Sequence, residues 1–254
     1  MGALRVFEHN ALAYRRVWRG SVLVSFISPI FFLTAMGIGL GGLINRHSGG
    51  VAGVPYRDFI APGLLVATAM QTAAAETTYP IMAKITWWKT YDAILATPLA
   101  VGDLLLGELA WMVARLGLVC FIFFAVMEAV GATRSRLAPL AIGAGILTGL
   151  AFAAPIIAFS ASLRRDTGFA ALTRFVITPL FLFGGTFFPI NRLPLPLQAV
   201  AWLTPLAHGV ALGRGFTLGR ITTAAVALHT AVLLFYVVAG AMAAYFLLRR
   251  RLAP

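Results

Sequence analysis

The stretch that decides the fold reads KITWWKTYDAILATPLAVGDLLLGELAW and runs from Lys84 to Trp111. Its first half interleaves aromatic and charged residues, and its second half is an almost uninterrupted apolar run. Pro98 separates the halves, and because the residue before a proline is pushed out of the helical region, we expect a short helix that ends near Ala96. The stretch therefore predicts an amphipathic helix at a membrane face, followed by a membrane span.

The composition indicates an integral membrane protein. Of the 254 residues, 60% are hydrophobic and 11% are charged, which is more apolar surface than one globular core can bury. A helix needs about 20 apolar residues to cross roughly 30 Å of hydrocarbon. We predict an all-α integral membrane fold, with one domain at 21–254 and six transmembrane helices at about 21–44, 59–83, 104–130, 138–163, 170–190 and 221–248.

Residues 1–20 precede the first predicted span and carry an amphipathic pattern. Basic residues fall outside a stripe of apolar residues that recur at spacings of three and four: Leu4, Phe7, Ala11, Tyr14 and Trp18. This pattern predicts a helix that lies in the headgroup layer of the membrane. The alternative is a solvated basic leader.

The net charge of +12 fits a membrane topology better than a nucleic-acid-binding face. Eighteen of the 20 basic residues lie at span ends or in loops rather than on one continuous face. With both termini in the cytoplasm, 11 of them lie inside and seven outside, and this excess favours that orientation. We expect membrane lipids as partners and no nucleic acid.

A second broken segment, FFPINRLPLPLQAVAWLTPLAHGVALGR, runs from Phe187 to Arg214. Its four prolines forbid one straight spanning helix. Broken apolar backbone at the membrane edge must be buried in protein or line a cavity. We therefore predict re-entrant helices that cap the outer end, roughly 180–188 turning into 196–203 and on to 206–216. A simple external loop is the alternative.

Charged residues in or beside the apolar spans are candidates for function, because an unpaired charge in hydrocarbon costs several kcal/mol. These candidates are Glu76, Glu108, Arg115 and Arg174. Glu108 and Arg115 lie two helical turns apart, so we expect each to find a partner on another span. Glu76 could relay protons or form a structural bond across helices.

No pattern of an enzyme or a metal site is present in the sequence. A phosphate-binding loop, H-E-x-x-H and G-x-S-x-G are all missing, the four histidines are scattered, and Cys120 is the single cysteine. A membrane-embedded enzyme would need a convergent set of polar residues, and the sequence offers none. We expect a protein that is not an enzyme and that binds no cofactor or metal itself.

Four motifs together resemble the permeases of ABC-2 type exporters. They are FIAPG at 59–63, ETTY at 76–79, YDAILATPLAVGDLLLGELAW at 91–111 and GGTFFPINRLPLPLQAVAWLTPLAHGVALGR at 184–214. The sequence is most similar to the nodulation lipo-oligosaccharide exporter permeases and more distantly similar to the daunorubicin-resistance permeases. The resemblance covers about 56–216.

The resemblance implies the permease of an ATP-driven exporter in the bacterial plasma (inner) membrane. It implies a second permease copy or a paralogue, together with two ABC ATPase subunits that bind ATP and Mg. The cargo would be amphiphilic or lipid-linked, namely a lipo-oligosaccharide, a glycolipid or a hydrophobic drug. A proton-coupled secondary transporter of small hydrophobic compounds is the alternative, and only Glu76 is well placed to serve it.

The resemblance also assigns roles to both broken segments. Residues 86–97 match the cytoplasmic coupling helix of the family, with ATPase-coupling candidates Thr86, Trp87, Trp88, Lys89, Tyr91, Asp92, Ile94 and Leu95. Residues 187–213 match its outer re-entrant helices, with outer-gate candidates Phe187, Phe188, Pro189, Pro194, Pro196, Trp202, Pro205 and His208.

Overall fold

A computed structural model describes residues 2–16 and 18–252. Met1 and Val17 of the predicted interfacial helix, and Ala253 and Pro254 of the predicted membrane domain, lie outside the described residues. Within the described ranges the regular elements are helices, and none of them is a β-strand. The predicted all-α class is therefore confirmed.

The chain alternates long helices with short or distorted ones. In the first half these are α1 (Gly2–Tyr14), α2 (Trp18–Phe32), a π-helical segment (Leu33–Leu40), α3 (Gly41–Ser48), α4 (Tyr56–Thr77), α5 (Tyr79–Met82), a second π-helical segment (Ala83–Trp87), α6 (Thr90–Leu95) and α7 (Val101–Ala129). The second half contains α8 (Leu140–Ser162), α9 (Thr167–Leu172), a third π-helical segment (Thr173–Ile177), α10 (Thr178–Phe183), a 3-10 turn (Ile190–Arg192), α11 (Leu195–Leu203), α12 (Pro205–Leu218) and α13 (Thr223–Leu252).

Three helices among the described residues are long and apolar enough to cross a membrane. They are α7, α8 and α13, with 29, 23 and 30 residues. Helices α11 and α12 pass the same test together, although they are bent by 84° where they meet. The described part of the chain thus contains three candidate spans, or four if the bent pair is one span. The count of six spans stays a prediction.

Helix α4, which begins just before the second predicted span and covers most of it, lies at the centre of the bundle. Most of its residues between Phe59 and Met70 are fully buried, and they pack against side chains of α7, α8 and α12, including Met112, Phe152 and Leu206. Because protein surrounds α4, small and polar residues are tolerated along it. Burial in protein therefore explains why the composition of α4 is not apolar enough to identify it as a candidate membrane span.

The second predicted span, 59–83, is broken at Thr78. Helix α4 ends at Thr77, and Thr78 takes a non-helical conformation with φ −89° and ψ −98°. Pro80 follows in the first turn of α5, where a missing N–H is tolerated. The hydroxyl of Ser160 on α8 donates to the Thr77 carbonyl at 2.7 Å, which satisfies one of the carbonyls freed at the helix end.

The fifth predicted span, 170–190, is shorter than expected. Helices α9 and α10 with the π-helical segment between them run from Thr167 to Phe183, which is 17 residues and about 26 Å. Gly185 has φ +86°, a left-handed conformation that favours glycine and commonly ends a helix. The prediction of a first re-entrant arm at 180–188 is therefore wrong beyond Phe183, although α11 and α12 lie close to the predicted 196–203 and 206–216.

Candidate coupling and gating sites

A buried ion pair lies beneath residues 84–97, which contain the predicted coupling segment and are called the inner segment below. Lys84 donates to both carboxylate oxygens of Glu108, at 2.7 and 2.9 Å, and to the side-chain oxygen of Asn10, at 2.9 Å. These bonds join the second π-helical segment to α7 and α1. Glu108 thus has its partner on another element, as expected from the sequence, and the inner segment is fixed to a long helix by charge-assisted hydrogen bonds.

Tyr91 lies inside the protein rather than on its surface. Its side chain is 0% exposed, and its ring lies 6.0 Å from the Lys84 ammonium. Burial, and secondly the nearby Glu108 carboxylate, raise the pKa of the Tyr91 phenol well above its usual range. The prediction of Tyr91 as a docking contact is thus corrected, because a buried ring supports α6 from within and cannot touch a partner.

The two neighbouring tryptophans are open to a partner. Trp87 is 56% exposed and Trp88 is 70% exposed. Lys89, which follows them, has φ +49°, a left-handed conformation that is uncommon for lysine. This residue turns the chain between the π-helical segment and α6, so the tryptophans and the buried face of α6 point in different directions. Thr86 and Asp92 are exposed as well, while Ile94 and Leu95 are half-buried.

Arg251, near the end of α13, is a residue that sequence reasoning missed. One terminal nitrogen of its guanidinium donates to the carbonyls of Ser160, Ala161 and Leu163, and the other donates to the Thr86 hydroxyl at 3.0 Å. Unpaired carbonyls at a helix C-terminus attract cations. Arg251 therefore caps α8 and connects its end to the coupling segment.

The intramembrane candidates Glu76 and Arg115 pair with each other. Arg115 Nε donates to the Glu76 carboxylate at 3.1 Å, and its guanidinium lies 5.1 Å from the centre of the Tyr14 ring. This pairing across helices corresponds to the structural alternative for Glu76. Arg174 lies elsewhere, with an exposed side chain on the third π-helical segment, so the structure does not bring it into this cluster.

At the opposite end of the bundle, Arg214 holds the turn after α10. Its side chain donates to the Phe59 carbonyl at 3.2 Å and to the Gly185 carbonyl at 2.8 Å. The Phe187 carbonyl accepts from the Tyr56 hydroxyl at 3.2 Å. The turn thus rests on α4 through side chains that reach it from two helices. Phe187, Phe188 and Pro189 are half-buried there.

A ring cluster joins α11 and α12, which correspond to the predicted outer cap and are called the cap below, to α13. His208 Nε2 lies 2.8 Å from the Trp202 carbonyl, and His208 Nδ1 lies 2.8 Å from His229 Nδ1. The rings of Trp202 and His229 are stacked. Because the carbonyl only accepts, His208 donates from Nε2, and in its neutral form it then accepts at Nδ1 from His229. Pro205 is buried beside this cluster, whereas Pro194 and Pro196 are exposed, so the structure gathers only some of the predicted gate residues.

An apolar cavity of about 360 Å³ opens below the cap. Its walls come from α8, the α9–α10 segment, the α11–α12 bend and α13, and they are apolar apart from Thr204 and Tyr236. Among the described residues, no three His, Cys, Asp or Glu side chains come together as metal ligands.

Sequence reasoning also missed a set of ion pairs between α4 and the loop before α8. The carboxylate of Asp58 is fully buried and accepts from Arg57 and Arg134. A buried carboxylate needs such partners, and the bonds hold the loop against the start of α4. Sequence reasoning placed Arg134 only as a loop charge.

Comparison with known proteins decides the family. A profile described as ABC-2 type transporter matches residues 5–218. The chain belongs to the ABC-2 type transporter family. It is 34% identical over 249 residues to Nodulation protein J of Rhizobium leguminosarum bv. viciae, covering 98% of this chain and 94% of that protein. Identity to Nodulation protein J of Rhizobium meliloti (strain 1021) is also 34%, over 99% of this chain and 94% of that protein.

A more distant relative is named as a transport permease. The chain is 24% identical to the inner membrane transport permease YadH of Escherichia coli (strain K12), over 93% of this chain and 90% of that protein. The resemblance inferred from the four sequence motifs is thus confirmed at the level of the family.

The matched ABC-2 region ends at residue 218, yet both candidate sites receive a side chain from α13. Arg251 reaches the inner segment and His229 reaches the cap. Because these two residues lie outside the matched motifs, the motifs alone could not have found them. Helix α13 thus contacts both ends of the ABC-2 region.

Proposed function

We propose that this ABC-2 chain is the transmembrane permease of an ATP-driven exporter that moves an amphiphilic or lipid-linked substrate outward. In the working complex it pairs with a second copy or a paralogue, and two ABC ATPase subunits dock from the cytoplasm. The ATPase subunits bind ATP and Mg, and the permease itself is not an enzyme. The permease has six spans in the bacterial inner membrane, with both termini in the cytoplasm.

The observation that carries this proposal is the pair of exposed tryptophans on an anchored segment. Large aromatic side chains are typical hot spots of protein interfaces. Trp87 and Trp88 are exposed, whereas Tyr91 a few residues later is buried. A surface that only anchored the chain in lipid would not need such firm attachment to the bundle.

The attachments beneath this segment support its role in force transmission. The pair of Lys84 and Glu108 connects the segment to α7, and the bond from Arg251 to Thr86 connects it to α8 and α13. A push on Trp87 and Trp88 would therefore reach three long helices without a flexible linker. This arrangement suits a permease whose energy comes from a separate subunit.

The apolar cavity below the cap supports a cargo with a hydrophobic part. Its volume of about 360 Å³ lies within the range of ligand pockets, and its walls offer few polar groups. A lipo-oligosaccharide, a glycolipid or a hydrophobic drug fits this chemistry. A proton-coupled transporter receives less support, because Glu76, the carboxylate that it would need, is paired with Arg115.

The decisive experiment is to purify the chain from its natural host and to identify the proteins and lipids that accompany it. We expect an ABC ATPase in the complex, and efflux from proteoliposomes that needs ATP but no proton gradient. The Trp87→Ala, Trp88→Ala double variant should insert normally and lose the ATPase. Efflux that follows the proton gradient without ATP would contradict the proposal.

The orientation is tested separately. Reporter fusions at both termini should report the cytoplasm, and tags inserted at Gly49 or Thr133 should be accessible from outside. A C-terminus on the outer side would overturn the six-span topology and leave the family assignment unaffected.

A further inference from the structure

A cavity of about 270 Å³ lies between α1, the α4–α5 break and α7, directly behind the coupling segment. Aromatic and polar side chains line it together: Tyr14, Trp88, Trp111, Asn10, Glu76 and Glu108. The volume is below the roughly 300–1,000 Å³ of pockets that enclose a drug-sized ligand. The cavity therefore has room for the headgroup of an amphiphile but not for the whole molecule.

Asn10 offers an unused donor at this cavity. Its side chain is only 5% exposed, and its oxygen accepts from Lys84 at 2.9 Å. Since an ammonium group only donates, this contact fixes the amide orientation and leaves Nδ2 on the other side. Within the described part of the chain, no protein acceptor meets that buried Nδ2.

Tyr14 offers a second donor on the same helix. Its buried hydroxyl also has no partner among the described residues, while its ring packs edge-on against Trp111 with centroids 5.4 Å apart. A buried polar atom without a partner costs about 1–3 kcal/mol. Two such donors at one cavity indicate that a ligand or water supplies the missing acceptors.

The charges around the cavity select the kind of ligand. The three N–H groups of Lys84 are used by Glu108 and Asn10, so this cation has no further donor for a phosphate. Glu108 is paired with Lys84 and Glu76 with Arg115, so these two cations already have carboxylate partners and do not favour an anionic headgroup. A quaternary ammonium group suits the aromatic walls but has no acceptor for the Asn10 and Tyr14 donors. A neutral group with several hydroxyls matches all of these features.

We propose that this cavity binds a neutral, hydroxyl-bearing headgroup, such as a sugar ring, of an amphiphile in the inner leaflet. The ring stacks against Tyr14, Trp88 and Trp111, accepts hydrogen bonds from Asn10 and Tyr14, and donates to Glu76, whose side chain is 32% exposed. This inference rests on the proposed export function and names the class of cargo headgroup. Trp88 connects the bound headgroup to the coupling segment.

The test measures binding of three probes with the same dodecyl chain to the full-length chain in lipid nanodiscs, with empty nanodiscs as the baseline. The probes are dodecyl glucoside, dodecyl sulfate and dodecyltrimethylammonium. We expect saturable binding of the glucoside alone. Tyr14→Phe should weaken it about five- to tenfold, because one hydrogen bond is lost. Asn10→Asp keeps the contact with Lys84 but removes the donor, so it should weaken binding at least as much.

Tyr245→Phe is the matched control, since it removes the same atom from a tyrosine that does not line the cavity. It should bind the glucoside as the unchanged protein does. Equal binding of all three probes, or unchanged binding in Tyr14→Phe, would overturn the inference. If Asn10→Asp fails to fold, Tyr14→Phe still decides the question.

Failure of this inference can be told apart from failure of the proposed function. If the variants bind the glucoside normally while the ATPase copurifies and drives efflux, only the headgroup site is wrong. If no ATPase copurifies, the export proposal fails. The binding experiment uses the chain alone, so its result still decides whether the cavity binds the headgroup.

Discussion

The guanidinium carbon of Arg214 lies 3.7 Å from the centre of the Phe59 ring, while the same side chain donates to the Phe59 and Gly185 carbonyls. Arg214 thereby joins α12, α4 and the turn after α10. Gly63, one turn along α4, permits this approach, because a Cβ there would lie 3.0 Å from the Thr186 carbonyl oxygen. This close approach explains why the last position of the FIAPG motif is a glycine.

Replacing Arg214 with lysine should loosen the outer cap. A lysine ammonium cannot stack flat on Phe59 and reach both carbonyls at once, and a hydrogen bond from a charged group contributes about 1.5–3 kcal/mol. We expect a loss of about 2 kcal/mol, measured as thermal unfolding in detergent. Arg220→Lys is the control, because the Arg220 side chain donates to the Ala52 carbonyl at an exposed position. Equal losses in both variants would argue against the special role of Arg214.

Replacing one partner of the Lys84–Glu108 ion pair should destabilise the protein more than replacing both partners. Glu108→Gln leaves the Lys84 charge buried without its partner, which typically costs about 3–5 kcal/mol. The double variant Lys84→Met, Glu108→Leu should recover part of that loss, since no charge remains. A double-mutant cycle that includes the single variants Lys84→Met and Glu108→Leu measures the coupling by thermal unfolding, with exposed Lys89→Met as a control. Additive effects of the two single changes would show that the pair contributes little.

The aromatic residues of the inner segment should separate into two classes. Tyr91→Ala removes a buried ring and should cost about 3 kcal/mol of stability. Trp87→Ala should leave stability nearly unchanged and weaken ATPase binding roughly thirtyfold, corresponding to an interface anchor of about 2 kcal/mol. Unfolding curves and pull-downs on both variants decide this. Unchanged ATPase recovery in Trp87→Ala would assign that tryptophan to lipid anchoring.

The contact between His208 and His229 should restrain the cap. His229→Phe keeps a ring against Trp202 but leaves the buried His208 Nδ1 without its hydrogen-bond partner. We expect faster amide exchange in α11 and in the first turn of α12. His47→Phe is the control, because the His47 ring makes its hydrogen bond to the Leu43 carbonyl on an exposed helix end. If exchange in α11 is the same in both variants, the cap is held by other contacts.

Local signals predicted the inner segment well. The α6 helix ends at Leu95, as Pro98 requires, and Glu108 and Arg115 have partners on other elements. The sequence could not tell which of Trp87, Trp88 and Tyr91 faces inward. Trp87 ends a π-helical segment, and the left-handed Lys89 lies between the tryptophans and Tyr91, so ordinary helical spacing does not apply across these rings.

Contacts between residues far apart in the chain could not be predicted from local sequence patterns. Asp58 and Arg134 are 76 residues apart, and nothing in either neighbourhood points to the other. The end of the fifth predicted span, 170–190, was misjudged for a related reason. The apolar run continues past Phe183, but Gly185 turns the backbone there, and a hydropathy pattern does not register such a turn.

The bond from Arg251 to Thr86 spans 165 residues of chain, and this separation has a consequence for synthesis. At about 5–20 residues per second, Thr86 emerges from the ribosome roughly 8 to 33 seconds before its partner. During that interval the end of α8 lacks its cap and the coupling segment lacks one of its attachments. A nascent chain would therefore present an incomplete docking surface, so that premature assembly with an ATPase is disfavoured until the last helix has been made.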